Sequence, residues 1–365
     1  MTATCVQPRR HIVKIGLGAG RQVQATFLPA NGAFWPDEPR LLEDDFVRAL
    51  VGTRPMRRLR RIGFLGAIDY IKKRTGSAPH KRRHNRLEHS LGVGRLAELY
   101  ARSSQAEAID RRLLLAAALL HDVGHGPLSH SLEPVFDAEF GINHHQATEL
   151  IVRGQARRGL EVAAVLKSHG VDAVEVVALI NGRHTGPTNF LFGGQINLDT
   201  LEGITRSRAF LSKATAPVNA GSMASKIASS TSLPTAELDE FWNTKHQVYN
   251  LLIHANRGLV LDLIAQAYMH DNLCRFTTDD FFATEQSLKS RHPYLFDLFE
   301  AASQSLDTLS PLIPPSWLNA KMRVKRRGFH VDPSVALNSV SAMNARYFQT
   351  SSYRQICLRD LLGHS

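Results

Sequence analysis

The sequence predicts a mainly α-helical protein: a helical bundle with a small β-hairpin near its N-terminus and an α+β appendage at its C-terminus. Three observations carry that expectation. The stretch Arg111–Leu120 consists of good helix formers and is apolar on every side after its first turn, the pattern of a helix buried inside a bundle. From about 237 to 268, Trp242, Tyr249, Leu252, Leu259 and Leu263 recur at three, four or seven residues, which is core-facing helical spacing. Period-two alternation is confined to 11–28, 322–331 and 347–358, so strands are few and lie near the two ends.

Taken in order, residues 1–53 hold the hairpin, turning at Gly16–Leu17–Gly18–Ala19–Gly20, and a lead-in. That glycine run is not a phosphate loop, because no Lys-Ser/Thr pair follows it and no helix opens after it. Residues 54–211 form the expected core region. Short helices are predicted at 41–53 and 55–62, then a mobile basic loop over 63–84 containing Gly66, Gly76 and Pro79. Helices follow at 86–102 and 111–122, from about 131, from about 143, over 161–181, and from Asn197. Residues 212–235, rich in Ser, Ala and Thr with Pro217, Gly221 and Pro234, read as a linker or exposed insertion. The remaining segment, 236–365, begins with the long helix to 268 and closes with two strands around a helix-like segment at 333–345.

Composition sets outer bounds. The 365 residues suffice for one large core or two domains, and 43% hydrophobic with 21% charged residues is ordinary for a folded chain. No apolar run approaches the ~20 residues of a membrane-spanning helix, and the first residues lack the apolar core of a signal peptide. Cys5, Cys274 and Cys357 are scattered and odd in number, which argues against a disulfide framework or a thiolate metal site. A cytoplasmic protein with no membrane association is the expectation. The net charge of +11 favours anionic ligands such as nucleotides, nucleic acid or phosphorylated substrates. The cations concentrate in Arg54, Arg57, Arg58, Arg60 and Arg61, and again in Lys72, Lys73, Arg74, Lys81, Arg82, Arg83 and Arg86.

The chemistry concentrates where the apolar helix ends. His121, Asp122, His125 and His130 fall within ten positions, with Gly124, Gly126 and Pro127 stopping the helix and turning the chain back. An imidazole and a carboxylate buried together need partners, and a metal ion is the usual one. Four positions could complete a metal sphere: His89, His121, Asp122 and Asp199. They fall on three predicted helices, so folding of a bundle would assemble the site. Two imidazoles and two carboxylates with open positions suit one divalent transition metal or Mg2+ in hydrolysis.

The blocks His84–Asn85–Arg86–Leu87–Glu88–His89 and His121–Asp122–Val123–Gly124–His125–Gly126–Pro127–Leu128–Ser129–His130 resemble the HD-domain metal-dependent phosphohydrolases, in the branch that includes the deoxynucleoside triphosphate triphosphohydrolases. The segment Arg57–Arg58–Leu59–Arg60–Arg61–Ile62 is similar to the arginine-rich helix of that branch. The resemblance covers about 54–150 and 196–206. It implies that His89, His121, Asp122 and Asp199 are the metal ligands and that Arg86 holds a phosphate. It also implies that His125 and His130 are active-site histidines, with His125 beside the scissile phosphate. His144 matches a further histidine, and Glu133 stands where the family has the Asp that orients it. His145 replaces the family's Glu, so either His144 or His145 could face the site. The chemistry implied is attack of metal-bound water with a histidine protonating the leaving oxygen.

Departures from the family bear on substrate. The Lys after the last metal Asp is Thr200, a phosphate-contacting Tyr is Gly203, a sugar-reading Asp is Ser207 and a sugar-contacting Gln is Phe64. Arg86 and Arg206 remain as expected phosphate ligands. The expected function is therefore a phosphohydrolase of nucleotides or related phosphate esters, forming a homo-oligomer. The alternatives are a phosphodiesterase or nuclease on oligonucleotides, using the basic surface, and a non-catalytic nucleic-acid-binding regulatory protein.

Overall fold

A computed structural model describes residues 41–71, 84–104, 110–184, 192–211, 218–229, 234–339 and 342–363. Among these residues α-helices dominate. The β structure is one two-stranded antiparallel sheet and a bridge between Gly63 and Asn85. The expected hairpin at 11–28 and residues 72–83 of the expected basic loop lie outside the described residues.

The apolar run after Asp110 folds as expected into helix Arg111–Leu120, and Leu114 through Leu120 are all fully buried. The Asp110 carboxylate caps it by accepting from the Arg112 and Leu113 amides at 2.9 and 3.0 Å. This helix packs along Arg86–Ser103, which Asn85 caps. Close approach depends on Gly94, where a Cβ would stand 2.9 Å from Leu119 Cδ2. Helix Leu198–Arg208, capped by Asn197, lies against the same neighbour.

Two apolar cores result. One gathers helices Asp45–Val51, Arg86–Ser103, Arg111–Leu120, Ala173–Ile180 and Leu198–Arg208 with Trp242, Phe329 and Tyr347. The other gathers helices Glu133–Phe140, Asn256–Asp271 and Pro293–Gln304 with Trp317 and Leu358. They meet at the histidine-bearing loop: Leu120 and Val123 belong to the first core, Leu128 and Leu132 to the second. Burial at both ends fixes this loop in space.

The structure corrects three expectations. The single helix expected over 237–268 is broken into Thr235–Val248, a π-helical turn Tyr249–Ile253, and Asn256–Asp271. Its apolar stripe is continuous in sequence but serves two cores, Phe241 and Trp242 in the first and Val260 to Met269 in the second, so the axis must change between them. Part of the expected linker 212–235 is a helix, Ala220–Ser229, packed on Arg86–Ser103 through Met223, Ala224 and Ile227. Its many small residues masked the helical period. Of the helix-like segment 333–345, only Met343–Arg346 is helical and continues past that range. The strands themselves are as expected: β1, Met322–Val331, pairs with β2, Tyr347–Ile356. Among the described residues no helix is long and apolar enough to cross a membrane.

Candidate metal centre

His89 sits one turn into the helix that Asn85 caps, and His121 is the residue closing helix Arg111–Leu120. Each imidazole is fixed by its Nδ1. His89 Nδ1 donates to Glu202 Oε2 at 2.5 Å, and His121 Nδ1 donates to the Ala118 carbonyl at 2.9 Å. With both Nδ1 atoms used as donors, the two Nε2 atoms are the positions left to take a proton or a metal ion, and they stand 3.2 Å apart. Two facing lone pairs repel unless a cation lies between them. Asp199 Oδ1 is 3.0 Å from His89 Nε2 and 3.6 Å from His121 Nε2. The Asp122 carboxylate is 3.5 Å from each of the two. Ligands on one ion with bonds of about 2.1 Å are separated by about 3.0 Å in octahedral and 3.4 Å in tetrahedral arrangement. The His89, His121 and Asp199 donors are thus close enough together to share a single ion, with the Asp122 carboxylate beside them.

The site has a closed and an open side. The His89, His121 and Asp122 side chains are 1%, 6% and 8% exposed, whereas Asp199 is 46% exposed. The site is thus open on the Asp199 side. Burial pulls the His89 imidazole toward neutrality, but the Glu202, Asp199 and Asp122 carboxylates outweigh it and lift its pKa to about 9. Burial would raise the Asp122 carboxyl, yet His121, Arg86 and His125 hold it well below the usual carboxylate range. An entering cation must displace a proton from this cluster.

Arg86 is buried behind Asp122. Its Nη1 donates to Asp122 Oδ2 at 2.7 Å, its Nε donates to Ser129 Oγ at 3.0 Å, and the guanidinium lies 5.1 Å above the Phe64 ring. Ser129 Oγ in turn donates to the Gly63 carbonyl at 2.7 Å. These bonds help to hold Leu128 and Ser129 in the left-handed region, at φ 59° and 46°, which residues with a Cβ seldom adopt.

Beside the centre lies a second cluster of His125, His130, Glu133 and His144. His144 Nδ1 donates to Glu133 Oε2 at 2.6 Å, and His130 Nδ1 is 3.8 Å from Glu133 Oε1. The His125 and His144 rings are stacked 4.2 Å apart and only 10° from parallel. Lone pairs in the planes of parallel rings do not converge on one ion, so this cluster is better suited to moving protons than to holding a metal. His125 is 1% exposed and neither ring nitrogen has a hydrogen-bond partner; Nε2 is 3.2 Å from Asp122 Oδ1 but poorly aligned. Burial and the nearby Arg86 charge keep His125 neutral, well below an ordinary histidine.

The structure thus brings together His89, His121, Asp122, Asp199, Arg86, His125, His130, Glu133 and His144. Between His144 and His145, His144 is the one that points inward, and exposed His145 packs on its outer face at 3.9 Å. Arg206 is a correction. It is 3% exposed and turned away from the open side, its guanidinium donating to the Glu202 carboxylate, the Glu88 carbonyl and His84 Nδ1. A helical i, i+4 pairing with Glu202 has claimed the charge that was expected to meet phosphate. Sequence reasoning missed Glu202 itself, which orients His89. The signal was present, since Glu202 lies three residues after Asp199 on the same helical face and four before Arg206. Thr148 was also missed; its Oγ1 accepts from the Gly124 amide and donates to the His121 carbonyl, fixing the turn after the ligand pair.

A His, a His-Asp pair and an Asp converging from separate helices define the class of helical metal-site domains typified by the HD motif. The family model described as HD domain matches residues 86–193. Asp199 falls just beyond that match. An uncharacterised Bacillus subtilis protein, YwfO, is 35% identical over 142 residues, covering 38% of this chain and 30% of its own. The uncharacterised Mycoplasma genitalium protein MG461 is 26% identical over 238 residues, covering 59% of this chain and 53% of its own. The deoxynucleoside triphosphate triphosphohydrolase SAMHD1 of Gallus gallus is 32% identical over 152 residues, covering 38% of this chain and 23% of its own. The chain therefore spans about half or less of the length of these relatives.

Proposed function

We propose that this protein is a metal-dependent phosphohydrolase of nucleotides or related phosphate esters, with His89, His121, Asp122 and Asp199 holding one divalent ion. The observation that most supports this reading is the pair of Nε2 atoms 3.2 Å apart, each left to take a proton or a metal ion by its committed Nδ1. A divalent ion supplies polarisation of a phosphoryl oxygen and acidification of water. We assign Arg86 to a phosphate oxygen, as the resemblance implies; its Nε and Nη1 are held by Ser129 and Asp122, and it is buried beside the ligand set. His130 is exposed at the mouth and backed by Glu133, which suits it to hand a proton to the leaving oxygen. His125, buried and without a well-aligned hydrogen bond, is available to an oxygen of substrate or water that enters beside it.

Residues around the open side favour a permissive substrate pocket. The Phe64 ring packs on His89 at 4.8 Å, and a Cβ at Gly203 would lie only 3.6 Å from Phe64 and 3.7 Å from His89. Ser207 is 4% exposed, and Thr200 carries no charge. None of these can hold a third phosphate or hydrogen-bond a sugar as a charged reader would, and discrimination of a hydroxyl depends on such readers. We therefore expect weak preference between ribo- and deoxyribonucleotides, with monophosphates or oligonucleotides hydrolysed at least as well as triphosphates. The test is kcat/KM for dGTP, GTP, dGMP, GMP and a short single strand, measured side by side with several divalent metals. A clear preference for dGTP, releasing inorganic triphosphate, contradicts the substrate reading. Dominant activity on the strand would favour the phosphodiesterase alternative.

A further inference from the structure

The C-terminal ribbon carries a charge pattern that neither the fold nor the metal centre requires. Strands β1 and β2 together contain Arg323, Lys325, Arg326, Arg327, His330 and Arg354 and no acidic residue. Exposed strands in soluble proteins normally mix signs, since like charges across a sheet repel. Among the described residues, Arg323, Lys325, Arg326 and Arg354 pair with no carboxylate. Interleaved with them are two large aromatics in solvent, Tyr353 at 52% and Phe348 at 41% exposure. The Arg323 guanidinium lies 3.8 Å from the Tyr353 ring centre with Lys325 Nζ at 5.8 Å, and His330 stacks on Phe348 at 5.2 Å.

The ribbon is also held rigidly. At one end Phe329 and Tyr347 pack on Trp242, whose Nε1 donates to the His330 carbonyl at 2.9 Å. At the other end Met322, Val324 and Ile356 pack against the second core. Because neighbouring side chains alternate across a strand, seating Val324 inward turns Arg323, Lys325 and their cross-strand neighbour Tyr353 outward. Cations that track a phosphate backbone, interleaved with exposed rings on a fixed ribbon, are the elements of a sequence-tolerant single-strand site.

We propose that this ribbon binds single-stranded nucleic acid, with Arg323 and Lys325 meeting phosphates and Tyr353, on the same face, stacking on a base. The binding is separate from the metal centre and does not rest on the hydrolytic reading. The experiment is fluorescence anisotropy of a labelled 20-residue oligo-dT against the full chain, without added divalent metal, over a salt series. The variant with Arg323→Ala and Lys325→Ala is expected to bind on the order of tenfold more weakly at low salt. Its log affinity against log salt should be shallower by about 1.4, from two lost phosphate contacts at about 0.7 each. Tyr353→Ala is expected to weaken binding on the order of tenfold while leaving that slope unchanged. A control that removes the exposed charges of Arg112, Lys167 and Arg183 instead should leave most of the affinity intact. Circular dichroism of each variant confirms folding. No binding by the unaltered protein, equal binding by the ribbon variant, or an equal loss in the control overturns the proposal. So does capture by phosphatidylserine vesicles in place of the strand.

Discussion

Replacing Glu202 by Gln tests how the metal centre is held together. The Glu202 carboxylate is 1% exposed, accepts from His89 Nδ1 at 2.5 Å and accepts from Arg206 Nε at 2.9 Å. Gln keeps an oxygen near His89 but removes the charge that makes His89 basic. Groups that orient a ligating histidine are typically worth 10–100-fold in metal affinity, roughly 1.4–2.7 kcal/mol. The substitution also takes the nearer carboxylate from Arg206, which is 3% exposed and keeps the Glu88 carboxylate at 3.8 Å, so the cost lies below the roughly 3–5 kcal/mol of a fully broken buried ion pair. The two effects separate in a double variant, Glu202→Gln with Arg206→Gln, which removes the Arg206 charge. Denaturant titration should show the single variant destabilised and the double variant recovered. Calorimetric titration of stripped protein with Mn2+ should show both variants binding metal 10–100-fold more weakly. Metal affinity equal to the unaltered protein in the single variant, or restored in the double, would refute the role given to Glu202.

Other consequences are as direct. His130→Ala should keep its metal and lose turnover on the order of 10²–10⁴-fold, the range of a proton-transfer group; unchanged kcat moves that role elsewhere in the cluster. Metal affinity should climb as pH rises from 6 toward 9, because the raised pKa of about 9 at His89 means that a proton competes for the site; a flat profile over that range contradicts the shared-ligand geometry. Asp262, bonded to Ser131 Oγ at 2.5 Å, has its pKa pushed by burial up to about 6, above its ordinary value of 3.8. A raised carboxyl pKa contributes stability that is lost as pH rises through it. The stability of Asp262→Asn relative to the unaltered protein should therefore be about 1.4 kcal/mol more favourable at pH 8 than at pH 5, read by denaturant titration at each pH.

What was legible in the sequence was whatever local chemistry dictates. The all-apolar run 114–120 could only be an interior helix, and the His-Asp pair at its end could only be tolerated with partners. Asn85, Asp110 and Asn197 announced helix starts in their own side chains. What was hidden depended on tertiary choice. Arg206 had two possible anions, a substrate phosphate or Glu202, and packing against Arg86–Ser103 decided for Glu202. That approach is possible only because Gly92 leaves room, a Cβ there falling 2.3 Å from Glu202 Oε1. The break at 249–255 was invisible because one apolar stripe runs unbroken through two cores. The resemblance pointed to Glu133 as the orienting acid but left His144 and His145 open, and the 2.6 Å bond from His144 Nδ1 to Glu133 decides between them.

In the proposed centre His89, His121, Asp122 and Asp199 hold one catalytic ion. Elemental analysis of purified protein beside the variant with His121→Ala and Asp122→Ala, with phosphohydrolase turnover measured on the same samples, tests it most directly. The account predicts about one equivalent of a divalent metal per chain and measurable turnover for the unaltered protein, and loss of both in the variant. Stoichiometric metal retained by the variant, or turnover that persists without it, contradicts the account.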